Sequence, residues 1–332
     1  MSGWQRVVAA LCSLVVATGA AVAQSSKDSL RRVQIVDACK QAAAGVLQEM
    51  QPMLNNVPGA PKTKDLVLFT PDIVYSALAR YDLKRIEITY GTCHEVFMLA
   101  HAAAYAFVVD PSAALELEAY GKSVTSAYSQ AIKQAGSGAR VWVEVPQFHE
   151  WLGRESTISE AQKLELDRQT EKLLFDGMAQ MLGHELAHLA LSHRADFEPP
   201  DLRVQEAQAD KLGLQLARPV LKLPGNPMLL APMFGLMNRE YPLREDLESE
   251  HPHSACRIAY ASQQLGVADL PDHGDFPPQY KQYLKSKLDE ARRKTGLNIK
   301  SFGEIYERVL QGPMCLCYSK NCEVPQHPNN LN

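Results

Sequence analysis

The sequence predicts a mainly α-helical protein of the α+β class with a small β element. Apolar residues recur at helical spacing along several long segments, whereas only residues 85–90 and 140–145 alternate as strands do. Prolines and glycines break the chain at points such as residues 55–62, but no flexible linker divides it into separate domains. The 332 residues, 46% of them hydrophobic, suffice for a sizeable core.

Helical segments are predicted where apolar residues recur every three or four positions. Ser159 is a candidate N-cap, and Thr92 and Glu95 have capping-box spacing. The helix from Thr92 is apolar on all sides. Its His94 and His101 are assigned core or cap roles and not ligation, because neither has another histidine four residues later. The predicted helices cover residues 28–51, 92–109, 113–134, 156–193 (in one or two pieces), 202–217, 228–238, 254–265, 277–294 and 301–311.

The charge balance excludes some classes of function. The formal net charge is -4 at pH 7, with neither a basic cluster nor a long acidic run. Proteins that bind nucleic acid normally carry a basic surface, so no nucleic-acid partner is expected. Neither an internal repeat nor a low-complexity segment suggests a repetitive scaffold.

The first 23 residues have the layout of a cleavable secretory signal. Arg6 gives the short start a positive charge, an apolar run covers residues 7–17, and the small-residue sequence A-V-A follows at 21–23. We therefore expect an exported protein, periplasmic or secreted, with no membrane span after cleavage. The alternative is an uncleaved anchor, but the apolar run is short for a spanning helix.

Cysteine usage agrees with export. Without the signal six cysteines remain, and an even number in an oxidising compartment favours disulfides. Three of them crowd into a Cys-rich C-terminal tail, residues 313–332, where a zinc knuckle is the alternative but paired C-x-x-C units are missing. We expect at least two disulfides in which this tail takes part, and the sequence does not choose among fifteen pairings of Cys39, Cys93, Cys256, Cys315, Cys317 and Cys322.

The segment M-L-G-H-E-L-A-H-L-A-L-S-H, residues 181–193, carries the clearest chemistry. On a helix, His184 and His188 differ by about 40° in rotation and about 6 Å in rise, so both imidazoles can reach one metal ion. Glu185 lies beside that point, where it can accept a proton from a water molecule. This H-E-x-x-H arrangement predicts a zinc site, and the alternative is a solvated helix face with incidental histidines.

A catalytic zinc needs a third protein ligand and an open fourth position. His193 follows His184 by nine residues, and an unbroken helix turns about 900° over that distance, so His193 is expected at the helix end and not at the metal. Glu206 and Asp210 share one face of the next predicted helix. A carboxylate from a second helix can complete a His-His-Glu site, and Asp210 can bond the free nitrogen of a ligand histidine. The alternative is that both are exposed charges.

Together these motifs resemble those of the gluzincin metallopeptidases. H-E-L-A-H at 184–188 and E-A-Q-A-D-K-L-G at 206–213 look most like the M48 branch, which includes the CAAX prenyl endopeptidases, a membrane-bound heat-shock protease and periplasmic quality-control proteases. H-P-H-S-A-C-R-I at 251–258 is similar to a later element of that branch, and Arg257 within it is expected to pair with a carboxylate. Seventeen residues separate His188 from Glu206, a spacing nearer to thermolysin-like proteases, and so the branch within the gluzincins stays open. Gly213 is expected to let the two helices approach closely.

The resemblance implies a zincin-like peptidase domain over residues 151–312, preceded by an N-terminal helical elaboration at 24–150. It implies a zinc metalloendopeptidase with one Zn²⁺ per chain and polypeptide substrates, such as misfolded or precursor envelope proteins. Its implied roles are Glu185 as general base and His251 as a group that polarises the scissile carbonyl. The implied zinc ligands are His184, His188 and Glu206, and Asp210 is implied to support one of the ligand histidines.

Two other functions remain open at this stage. The first is a catalytically silent zinc-binding or chaperone-like module of the cell envelope. The second is a structural envelope protein in which the motif has no function. Glu185 argues against the silent module, because a protein that has lost catalysis is free to lose its base.

Overall fold

The protein is mainly helical around one small sheet, as predicted. A computed structural model describes residues 31–61, 66–71, 77–135, 143–154, 158–193, 199–223, 254–265, 278–296 and 298–318. The elements in chain order are α1 (residues 31–54), β1 (Val67–Thr70), β2 (Ala77–Arg80), β3 (Arg85–Thr89), α2 (Tyr90–Val108), α3 (Leu117–Ala135), α4 (Phe148–Trp151), α5 (Glu160–Leu191), α6 (Pro199–Ala217), α7 (Ser254–Gln264), α8 (Pro278–Thr295) and α9 (Phe302–Leu310). Short 3-10 helices occur at Pro111–Glu116, Arg218–Val220 and Pro313–Tyr318.

The sheet has the strand order β1-β3-β2, with β1 parallel and β2 antiparallel to β3. Ile86 and Ile88 of β3 are fully buried, which follows the alternation that predicted this strand. The sequence did not indicate β1 or β2, because four residues are too few to show a period. The second predicted strand is wrong over residues 143–145, which have no regular structure, and residues 140–142 lie outside the described part.

Helix α5 is the centre of the fold. It packs against α2 and α6, and β2 of the sheet also contacts it. A capping box between Ser159 and Gln162 fixes its start, as the sequence suggested for Ser159. Residues 176–190 are buried on every side of the helix, so this half is enclosed by other elements and not only covered along one stripe. The H-E-x-x-H motif lies in that enclosed half.

Helix α2 begins earlier than predicted. Thr89 is its N-cap, and the Thr89 hydroxyl accepts a hydrogen bond from the backbone N–H of Thr92, so the predicted capping box at Thr92 and Glu95 is wrong. Glu95 instead accepts a hydrogen bond from the Thr125 hydroxyl. The predicted core role of His94 is confirmed, because it is buried against the Tyr128 hydroxyl.

A disulfide between Cys256 and Cys315 joins α7 to the C-terminal 3-10 helix. The prediction that the C-terminal cysteines take part in disulfides is therefore confirmed for Cys315. The predicted second disulfide is not found among the described residues, where Cys39 and Cys93 are buried thiols, and Cys322 lies outside them.

Some predictions concern segments that lie outside the described part of the chain. The proposed signal at residues 1–23 lies outside the described residues, as does the predicted helix at 228–238. Among the helices that are described, none combines the length and the apolarity needed to cross a bilayer.

Candidate metal centre

Helix α5 presents two histidines to the same point in space. His184 and His188 lie one turn apart, and their Nε2 atoms are 3.0 Å from each other. Both side chains are buried, with 8% and 7% of their surface exposed. The helical spacing predicted this convergence, and the structure confirms it.

Helix α6 brings a carboxylate to the same point. The Glu206 oxygens lie 3.2 Å from the Nε2 atom of His184 and 3.2 Å from that of His188. Ligands of a tetrahedral zinc ion with bonds near 2.0–2.1 Å stand about 3.3 Å apart, so the three side chains already have the separation that such an ion requires. The donor set can therefore hold a metal ion.

A pair of glycines lets α5 and α6 come this close. A Cβ atom on Gly183 would lie 2.5 Å from the carbonyl oxygen of Gly213, and a Cβ atom on Gly213 would lie 2.7 Å from the backbone nitrogen of His184. Neither position can carry a side chain without moving a helix backbone. The predicted role of Gly213 is confirmed, and its partner Gly183 precedes the first ligand directly.

A charged network supports His184. Its Nδ1 atom lies 2.9 Å from Oδ1 of Asp210, the contact predicted for that carboxylate. Arg257 donates from Nε and Nη2 to both oxygens of Asp210, at 2.8 and 2.7 Å, and is 2% exposed. The Tyr318 hydroxyl donates to the second oxygen. Arg257 was expected to pair with a carboxylate, but nothing in the sequence indicated Tyr318, which lies 108 residues from its partner.

His193 and Gln208 support His188. Its Nδ1 atom lies 3.0 Å from Nδ1 of His193, and Nε2 of His193 lies 3.1 Å from Oε1 of Gln208. Helix α5 ends at Leu191, and Ser192 takes a left-handed conformation at φ 54°, which turns His193 back against the helix. His193 therefore does not join the cluster of three donors, as predicted, but its contact with His188 depends on a bend that the sequence did not show.

These contacts orient the lone pairs of both histidines toward Glu206. When His184 donates from Nδ1 to Asp210 and His188 donates from Nδ1 to His193, both Nε2 atoms are acceptors. Two such lone pairs 3.0 Å apart repel each other unless a cation or a shared proton lies between them. The hydrogen bonds around the site therefore favour the tautomers that bind a metal ion.

The charges around the site oppose the effect of burial. Burial lowers the pKa of His184, but the Glu206 and Asp210 carboxylates outweigh it and raise that pKa to about 10. Burial raises the pKa of Glu206, but His188 and His184 hold it well below its usual range. In the absence of metal the centre therefore favours a proton shared among its donors, and a cation of higher charge can replace that proton.

Glu185 lies next to the donors but is not one of them. It is 6% exposed, and burial raises the pKa of its carboxyl group. The backbone of Ala79, on β2, lies against this carboxyl group and partly offsets the effect of burial on its pKa. Tyr81 follows β2, and burial together with the Glu185 and Glu206 carboxylates raises its pKa. The sequence did not predict that the sheet would lie against Glu185.

The remaining predicted residue, His251, lies outside the described residues. Comparison with known proteins adds no assignment: no protein-family model matches the chain, and neither the curated proteins nor the solved structures include a match. The interpretation of the centre therefore depends on its own geometry and chemistry.

Proposed function

We propose that the protein is a zinc-dependent metalloendopeptidase of the gluzincin type. The observation that carries the proposal is the meeting of His184, His188 and Glu206 at tetrahedral spacing beside a buried glutamate. Two imidazole nitrogens and one carboxylate form the donor set of a hydrolytic zinc site that keeps one position open. We propose one zinc ion per chain.

Glu185 would act as the general base. Zinc, when bound, supplies a Lewis acid that lowers the pKa of a water molecule at the open position. Glu185, which follows the ligand His184 directly on α5, would take a proton from that water and pass it to the leaving amine.

The proposed substrates are polypeptides of an exported compartment, such as misfolded or precursor envelope proteins. The substrate class, the location and the oxyanion role of His251 come from the resemblance of the motifs to those of gluzincins. The alternative of a silent zinc-binding module predicts the same zinc content but no hydrolysis, and so one experiment separates the two.

That experiment measures zinc content and casein cleavage on the same preparation of residues 24–332. We expect about one zinc ion per chain and cleavage that a chelator abolishes and added zinc restores. Zinc without cleavage would favour the silent module, and the absence of zinc would refute the proposal.

A further inference from the structure

The C-terminal 3-10 helix, Pro313–Tyr318, reaches the carboxylate that supports the first histidine. The Tyr318 side chain is 8% exposed, and its hydroxyl donates to Oδ2 of Asp210. Burial and the Asp210 carboxylate raise the pKa of Tyr318, so the hydroxyl keeps its proton and can donate. Residues from the far end of the chain therefore contact the surroundings of the metal centre.

Tyr318 completes the hydrogen bonding of Asp210. An ionised carboxylate has about four lone-pair positions. Oδ1 receives His184 Nδ1 at 2.9 Å and Arg257 Nη2 at 2.7 Å, while Oδ2 receives Arg257 Nε at 2.8 Å and the Tyr318 hydroxyl. Without that hydroxyl, one acceptor position of a buried carboxylate would be unfilled, and a buried acceptor without a donor is costly.

The disulfide links the two segments that supply these donors. Cys256 directly precedes Arg257 on α7, and Cys315 lies three residues before Tyr318. Two further contacts hold the segment: Lys211 donates to the carbonyl oxygen of Cys317 at 3.2 Å, and the rings of Tyr260 and Tyr318 lie 5.1 Å apart. The covalent bond therefore restrains Arg257 and Tyr318 around Asp210 at the same time.

We propose that Tyr318 is a positioning residue of the metal centre and that the Cys256–Cys315 disulfide holds it in place. The inference rests on the proposed zinc site. Tyr318 acts on Asp210, and Asp210 fixes the ring of His184 with its Nε2 atom toward Glu206. The C-terminal segment thereby controls how tightly the protein binds zinc, although it supplies no ligand.

The test compares Tyr318→Phe with Tyr260→Phe in the full mature protein. Both variants lose one phenolic oxygen from neighbouring rings, but of these two tyrosines only Tyr318 is seen to donate a hydrogen bond to Asp210. The zinc dissociation constant is measured by competition with a chromophoric chelator. We expect it to rise about tenfold in Tyr318→Phe, at the lower end of losses for such supporting contacts, and to stay unchanged in Tyr260→Phe.

A spectroscopic measurement separates positioning from general destabilisation. In cobalt-substituted protein, the visible absorption bands report ligand geometry, and we expect them to change in Tyr318→Phe but not in Tyr260→Phe. The double variant Cys256→Ser/Cys315→Ser removes the covalent restraint without changing Tyr318. We expect it to weaken zinc binding in the same direction and to make the added loss from Tyr318→Phe smaller.

Equal zinc affinities and equal cobalt spectra for the two tyrosine variants would overturn the inference and leave the peptidase proposal intact. A wild-type protein that binds zinc but does not cleave casein would overturn the peptidase proposal, and the affinity comparison would still decide the role of Tyr318. A wild-type protein that binds no zinc would overturn both.

Discussion

Helices α2 and α5 each carry a buried His-Glu pair, but among the described residues only the pair in α5 adjoins a donor set that could hold a metal ion. In α2 the pair is His94 and Glu95, and in α5 it is His184 and Glu185. The two helices pack against each other, and both histidines are less than 10% exposed, at 3% and 8%. Burial and residue type are thus nearly equal, and other features must decide the function.

Spacing is the first difference. His101 follows His94 by seven residues, which places it on nearly the same face but about 10 Å further along the axis, too far for both to bind one ion. His188 follows His184 by four residues, and their Nε2 atoms are 3.0 Å apart. One helical turn suits a shared ligand, and two turns do not.

The neighbouring charges are the second difference. Burial lowers the pKa of His94 to about 3, and Arg31 and Arg32 add to the effect. Burial also lowers the pKa of His184, but the carboxylates from α6 reverse its direction and raise the pKa to about 10. The acidic residues of a second helix therefore make the surroundings of His184, but not those of His94, favourable to positive charge.

The largest effect on zinc binding is expected from Glu206→Gln, which removes the carboxylate that α6 places beside the two histidines of α5. The amide keeps the size of the side chain but not its charge, so zinc affinity should fall by more than about 100-fold, beyond the range for supporting contacts. Dialysed protein should then contain little zinc by elemental analysis. Zinc content equal to wild type would mean that another residue is the third ligand.

Asp210→Asn is expected to affect stability and metal binding together. It would leave Arg257, which is 2% exposed, without its counter-charge, and breaking a buried pair in this way costs about 3–5 kcal/mol. Urea unfolding of the metal-free protein would measure the loss. The double variant Asp210→Asn/Arg257→Met should regain part of it, and a double variant as unstable as the sum of the two single variants would contradict this account.

His193→Ala should have a smaller effect, because His193 only supports His188. Zinc should remain bound, with an affinity lower by no more than about tenfold. Chelator competition would measure the change. A loss as large as that of Glu206→Gln would instead place His193 among the ligands.

The smallest effect is expected on the pH dependence of stability, to which the buried histidines of α2 contribute. The folded-state pKa values of His94 and His101, about 3 and about 4, lie below the usual 6.5, so their contribution to stability is complete above about pH 6.5 and is lost as the pH falls toward those values. Each histidine contributes at most about 1.4 kcal/mol per pH unit. Unfolding of wild type and His94→Gln between pH 4 and 7 should show a shallower pH dependence in the variant, and identical slopes would contradict the buried neutral state.

The sequence predicted those parts of the centre that depend on local geometry. His184, His188 and the Glu206–Asp210 face follow from the rise and rotation of a helix, and the pairing of Arg257 with a carboxylate was also expected. The contact of Tyr318 with Asp210 and the position of β2 against Glu185 were not predicted, because tertiary contacts bring these residues together from distant segments. His193 was assigned correctly as no ligand, but its contact with His188 depends on the left-handed Ser192.

The central claim is that Glu185 acts as the general base beside a zinc ion that His184, His188 and Glu206 hold. The most direct measurement determines zinc content and peptidase rate together in Glu185→Gln and in Glu206→Gln. We predict that Glu185→Gln keeps about one zinc ion per chain and loses casein cleavage, whereas Glu206→Gln loses both. Cleavage at a near wild-type rate by Glu185→Gln, or loss of its zinc, would contradict the account.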